Sequence, residues 1–113
     1  YWLSRIIYAE SGNQPLEGKI AVGNVILNRV ADPSFPNTVY GVIFQRNQFT
    51  PAMTGSINRT PNAESVLAAK LCLEGATTVG DALFFVNPRV SPNSWASRNR
   101  PYIPTIANHT FYG

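Results

Sequence analysis

The stretch Tyr8-Ala9-Glu10-Ser11-Gly12-Asn13-Gln14-Pro15 decides how the rest of the chain is read. It closes one apolar helix, turns, and opens another, with a carboxylate at the join. Upstream, Leu3, Ile6 and Ile7 recur at the three-and-four spacing of a helix, and Glu10 falls three residues after Ile7 on the same stripe. Its carboxyl is therefore expected on the apolar side. The positions three and four residues away are Ile6, Ile7, Asn13 and Gln14, so no local cation pairs with it. A carboxyl removed from water without a cation keeps its proton to higher pH, which is what a general acid working near neutrality requires.

The other acids have ordinary structural work. Of the six Asp and Glu residues, Glu17 follows Pro15 and Glu64 follows Thr60-Pro61, both in first turns where negative charge meets a helix N-terminus. Glu74 stands four residues after Lys70, with Gly75 closing the helix behind it. Asp32 starts an Asp-Pro turn, and Asp81 precedes an apolar strand. Glu10 alone has no such duty, which makes it the candidate catalytic residue.

Working outward, the first helix is expected over Tyr1 to Glu10 and the second from Pro15, at the first helical position, to Val30. Leu16, Ile20, Gly23, Leu27 and Val30 form one stripe of the second helix, and Ala21, Val22, Val25 and Ile26 make most of its remaining surface apolar. Such a helix is buried on nearly all sides. Asn24 and Asn28 on this rod are either satisfied core amides or lie beneath the site. Asn37 or Thr38 caps a short helix through Val42, Ile43 and Phe44, and Gln45 to Asn58 reads as a loop. In that loop Gln48 and Thr50 could position a water or a sugar hydroxyl, with Phe49 against a sugar face; the alternative is a plain turn.

Thr60 as cap and Pro61 as first residue open a third substantial helix that ends at Glu74. Cys72 lies inside it, away from the N-terminus, and reads as a buried, inert thiol. Ala82 to Val86 reads as a strand, with Tyr102-Ile103 and His109 to Tyr112 as its pairing candidates. Trp95 either plugs the core from the Ser/Asn/Arg/Pro-rich segment around it or floors a sugar-binding groove. His109, the only histidine, is expected to be a hydrogen-bonded structural residue, since no second ligand type stands at zinc spacing.

The 113 residues, 44% hydrophobic and 13% charged, are expected to form a single domain over 1–113. The chain begins with Tyr1 inside an apolar helical pattern, as would a module trimmed from a longer exported protein. No apolar run approaches the roughly 20 residues that cross a bilayer. The net charge of +3 is spread without a basic stripe, which disfavours nucleic acid as a partner and suits an anionic polymer such as bacterial wall material. One cysteine excludes an internal disulfide, and nothing requires a metal or organic cofactor.

The motifs together resemble a known family. Tyr8-Ala9-Glu10, Gly18-Lys19-Ile20-Ala21-Val22, Val25-Ile26-Leu27-Asn28-Arg29-Val30, Phe35-Pro36-Asn37-Thr38-Val39, Gly41-Val42-Ile43-Phe44-Gln45, Gln48-Phe49-Thr50, Ala82-Leu83-Phe84-Phe85 with Asn87-Pro88, and His109 with Phe111-Tyr112 are similar, in order, to landmarks of the spore cortex-lytic and cell wall hydrolase family of SleB and CwlJ type. The resemblance implies an α+β, mostly helical, lysozyme-like and lytic transglycosylase-like domain with a minor β-hairpin. It further implies an extracytoplasmic enzyme of spore or cell wall that acts on peptidoglycan glycan strands, with the family's catalytic Glu on Glu10. Family members commonly continue Ala-x-Gly-Glu after that residue; here Ser11-Gly12-Asn13-Gln14 puts an amide in place of the second carboxylate.

Glycosidases ordinarily use two carboxylates, and only one is nominated here. The consistent chemistry is a lytic transglycosylase route ending in a 1,6-anhydromuramoyl product, carried out by a monomer with Glu10 as acid and base. Gln48, Phe49, Thr50, Phe85, Asn87, Trp95 and Tyr102 are the expected substrate contacts. The alternatives are a muramidase in which Gln48, Thr50 or Asn87 orients water, and a catalytically silent wall-binding module. A cysteine hydrolase pairing Cys72 with His109 is disfavoured, because that thiol is not near a helix start.

Overall fold

The computed structural model describes residues 1–45, 49–86, 100, 102–106 and 109–113, with backbone alone for Val86 and 102–106. In it the apolar stripe at the start of the chain becomes α1, Trp2–Ser11, which buries Leu3, Ile6 and Ile7. The hydroxyl of Ser11 donates back to the Ile7 carbonyl at 2.7 Å, and the Gln14 N–H donates to the Ser11 carbonyl at 2.9 Å, so the turn out of α1 is hydrogen-bonded at once. Pro15 is the residue before α2, Leu16–Ala31, one position earlier than its expected place inside the helix. The ring fixes φ near its helical value in either place, and the Pro15 carbonyl accepts the Lys19 N–H at 3.1 Å.

The second helix is the buried rod its composition demands, with every residue from Gly18 to Ile26 inside. Packed against it are α1 and α5, Ala63–Leu73, which also touch each other. Gly23 lets the three close up: a Cβ there would lie 2.6 Å from the Cys72 sulfur and 3.1 Å from Ile7 Cδ1. The Cys72 thiol donates to the Ile20 carbonyl at 3.4 Å, and burial pushes its pKa to about 11, which makes it the inert core group expected.

The start of α5 differs from the expected one. Asn62, not Thr60, is the cap, its Oδ1 accepting from the Ser65 N–H at 2.8 Å, and the helix opens at Ala63 rather than Pro61. Asn is at least as good a cap as Thr, and the cap that wins is the one whose oxygen reaches a free N–H. Gly75, at φ 100, ends the helix as its left-handed closing residue. Thr38 caps α3, Val39–Ile43, by accepting from Gly41 N–H at 2.9 Å.

The expected loop over Gln45 to Asn58 contains structure: α4, Thr50–Thr54, and a 3-10 turn, Ser56–Asn58, joined at Gly55 with φ 83. Both are single turns, too short for an apolar period to register in sequence. Ile57 anchors them, 1% exposed in the main core.

Three strands form one antiparallel sheet in the order β1-β3-β2: β1 Phe84–Val86, β2 Tyr102–Ile106 and β3 His109–Tyr112. The last strand is central, with Phe111 opposite both Phe85 and Ile103. The register breaks between Ile103 and Thr105, at Pro104, which has no N–H for the ladder. Phe111 seals a second small core with Ala21, Val25, Val79 and Ala82.

The polar groups of α2 stitch the chain leading into this sheet. Asn24 donates to the Ala76 carbonyl at 2.8 Å and accepts from Thr78 N–H at 2.9 Å; Asn28 donates to the carbonyls of Gly80 and Ala82 at 2.8 and 2.9 Å. Both are therefore satisfied structural amides. Arg29 Nε donates to the Leu83 carbonyl at 2.7 Å, and its guanidinium lies 4.9, 5.1 and 5.2 Å from the ring centres of Phe35, Phe49 and Phe84. Burial lowers its pKa to about 10, so it stays cationic at neutral pH, held by aromatic faces. No described helix is long and apolar enough to cross a membrane.

Candidate active site

Glu10 stands in the last turn of α1, the end that offers carbonyls rather than N–H groups, so the helix lends its anion no support. Burial raises its pKa from 4.5 to about 7. Among the described residues no cation pairs with it and no side chain donates to it. A carboxyl in this state gives up a proton readily near neutrality and takes it back as readily.

The carboxyl opens into a cavity of about 360 Å³. Tyr8 and Ala9 of α1 form one side, Gly12 and Asn13 of the turn another, and Arg59 and Asn62, on the approach to α5, complete the described lining. Asn62 reaches across, its amide 3.5 Å from the Gly12 carbonyl. Below the turn, the ammonium of Lys19, 2% exposed, donates to the Gln14 carbonyl and to Glu64 Oε1, the latter at 2.7 Å. One buried cation thereby ties the turn after Glu10 to the first turn of α5. Glu64 serves as its ion-pair partner, beyond the N-terminal charge expected of it.

The remaining acids lie elsewhere. Glu17 is exposed in the first turn of α2, and Asp32 accepts from Ser34 N–H at 2.7 Å in its turn. Glu74 is the last-turn cap of α5 and makes no ion pair with Lys70; Asp81 lines a separate cavity beside Asn28 and Leu83. No acid but Glu10 lines the cavity of α1.

The expected substrate contacts fare differently. Phe49 is 5% exposed, with its ring committed to Arg29 at 5.1 Å and Phe85 at 6.1 Å, so it is a core residue and presents no sugar face. Phe85 packs among Phe49, His109 and Phe111, half-buried; Thr50 is exposed at the start of α4. Neither lines the cavity of Glu10. Tyr102 lies in β2, where its backbone pairs with Tyr112. Gln48, Asn87 and Trp95 lie outside the described residues.

His109, expected to be hydrogen-bonded, is buried with Nδ1 unpartnered, its ring edge-on to Phe85 at 5.1 Å, and burial lowers its pKa. The cavity residues that sequence reading missed are Tyr8, Asn13, Arg59 and Asn62. Two of them neighbour Glu10 in the chain and were open to inspection. Arg59 and Asn62 are brought there only by the packing of α1 against α5.

The sequence pattern of the cell wall hydrolases matches residues 13–112. This chain belongs to the cell wall hydrolase family. Spore cortex-lytic enzymes of Bacillus cereus and Bacillus subtilis are 40% and 37% identical to it over 109 residues, 96% of this chain. The same alignments cover 42% and 35% of those proteins, so the chain spans less than half the length of these curated relatives. The catalytic domain of the germination-specific lytic transglycosylase SleB from Bacillus anthracis superposes with a TM-score of 0.91 at 39% identity, covering 99% of this chain and 91% of that domain. The catalytic domain of the Bacillus cereus SleB protein gives 0.89 at 40%, covering 98% and 86%. The mostly helical, lysozyme-like architecture with a small antiparallel sheet is thus common to this family member and those domains.

Proposed function

We propose that this domain cleaves the glycan strands of bacterial peptidoglycan outside the cytoplasm, as a monomeric lytic transglycosylase with Glu10 as its single acid and base. The observation that carries the reading is the pKa of Glu10, raised to about 7 by burial, in a cavity that no other acid lines. The solved relative described as a lytic transglycosylase supports the reaction class. In spore-forming relatives the activity is named for the spore cortex, and cortex or vegetative wall would be the substrate here.

The neutral Glu10 carboxyl donates its proton to the glycosidic oxygen as the bond from that oxygen to the muramic acid C1 breaks. The leaving sugar departs with its new hydroxyl, and C1 becomes oxocarbenium-like. The C6 hydroxyl of the same muramic acid attacks C1, and its proton passes to the Glu10 carboxylate. The ring closes as a 1,6-anhydro sugar and the acid is regenerated. One carboxyl suffices because the nucleophile belongs to the substrate.

Mass spectrometry of digested peptidoglycan tests this directly. Anhydromuramoyl ends are expected. Reducible muramic acid ends would mean that water attacks and that the enzyme is a muramidase, while intact strands retained on the protein would mark a binding module.

A further inference from the structure

The cavity around Glu10 carries a positive charge that the cleavage chemistry does not use. Arg59 lines it as an exposed residue, its guanidinium 5.3 Å from the centre of the Tyr8 ring. All six acids of the chain are described, and none forms an ion pair with Arg59. Nor does the charge serve Glu10: a guanidinium close to that carboxyl would pull its pKa down, whereas the shift is upward with burial as its cause.

The position of Arg59 is built. Arg5 Nη1 donates to the Asn58 carbonyl at 2.7 Å and to the Arg59 carbonyl at 3.3 Å, pinning this backbone to α1. The Arg5 guanidinium itself lies 4.4 Å from the centre of the Tyr1 ring. On the other side Asn62 is fixed as the cap of α5. With its backbone held and its guanidinium over the Tyr8 ring, Arg59 presents a planar, five-donor cation with no acid partner at a cavity of about 360 Å³.

We propose that Arg59 is a substrate-binding residue that recognises a carboxylate carried by the muramic acid next to the bond being cut. This rests on the glycan-cleaving reading above and adds to it the charge of the substrate. Alternating amino sugars are neutral along their backbone and accept only neutral hydrogen bonds from a guanidinium, so the full charge of Arg59 is matched best by an anionic substituent on the muramic acid. Two groups supply that chemistry: the lactyl carboxylate itself when unsubstituted, and the carboxylates of a stem peptide attached there. A guanidinium can take either as a bidentate pair.

The test measures binding in a Glu10→Gln background, so that strands are not consumed. Three probes are used: glycan strands with stem peptides, strands stripped of them by an amidase so that every lactyl carboxylate is free, and stripped strands whose carboxylates have been converted to methylamides. Tight binding of the first or the second probe identifies which carboxylate is read. Arg59→Gln is expected to raise Kd about five- to tenfold on that probe and to leave the methylamide strands unchanged, with Arg59→Lys keeping part of the affinity.

Equal weakening on charged and neutral strands would overturn the proposal, because Arg59 would then be shaping the cavity. So would no weakening on either, or wild-type-like binding of the methylamide strands without Arg59 replaced. A melting curve of each variant separates lost binding from lost folding, and Arg59→Lys supplies the comparison if Arg59→Gln unfolds. Shortening of strands by the Glu10→Gln protein would be a failure of the cleavage assignment instead, visible by chromatography whatever Arg59 does.

Discussion

The end of α1 and the length of α2 both place polar groups away from water, and they treat them in opposite ways. Along α2 the Lys19 ammonium has a carboxylate and a carbonyl, Asn24 and Asn28 have backbone partners, and Arg29 has a carbonyl and three aromatic faces. At the end of α1 the Glu10 carboxyl has a cavity and, among the described residues, no donor. Burial with partners fixes a structure, because each bond would be costly to lose. Burial without them leaves a group whose charge state is close to balance near neutral pH, the condition that the proposed acid–base role requires.

The sharpest way to break this contrast is Glu10→Gln, which keeps the shape and removes the proton chemistry. Glycan cleavage is expected to fall by about 10²- to 10⁴-fold, the range of a general acid, measured as loss of turbidity of peptidoglycan or decoated spores. If Glu10 is the acid as proposed, the protonated form is the active one, and turnover should decline as pH rises through about 7, with no such decline well below it.

The same substitution should raise stability, where removal of the partnered polar groups Lys19 and Asn24 of α2 lowers it. Glu10 has a folded pKa above its unfolded value, so between 4.5 and about 7 the native state holds more protons, and stability falls as pH rises across that window. Above it the penalty is constant at about 3 kcal/mol, and Glu10→Gln should recover a good part of this in denaturant melts at pH 8 but little at pH 4. Equal melts at both pH values would mean that the carboxyl is not desolvated.

On the α2 side, Lys19→Met should cost about 2 to 3 kcal/mol, since it removes the ammonium's bonds to the Gln14 carbonyl and to Glu64, which is 49% exposed and returns to water. Because that ammonium also anchors the cavity's turn, activity should fall further than stability alone explains at temperatures where the variant is folded. Asn24→Ala, which strands one carbonyl and one N–H, should cost about 1 to 2 kcal/mol by denaturant titration and leave cleavage unaffected.

Much of the fold was legible because it rests on local rules. The stripes of α1 and α2, the Thr38 cap, the Gly75 stop and the inert Cys72 all follow from spacing and from the chemistry of single residues. The misread places are those where local signals compete or are too brief. Thr60 and Asn62 are both good caps two residues apart, α4 and its following turn are shorter than a helical period, and an aromatic residue such as Phe49 looks the same on a core as in a groove.

By itself the sequence determined that Glu10 would face the apolar side with no neighbouring cation, since helical spacing fixes both the direction of the side chain and the company within one turn of it. Only the tertiary structure decided that Arg59 and Asn62 share its cavity, that Lys19 ties the turn to α5, and that the last strand lies at the centre of the sheet. The first two are meetings of residues some 45 to 50 positions apart, set by how helices close on a glycine and by which donors reach which carbonyls, and no local pattern encodes them.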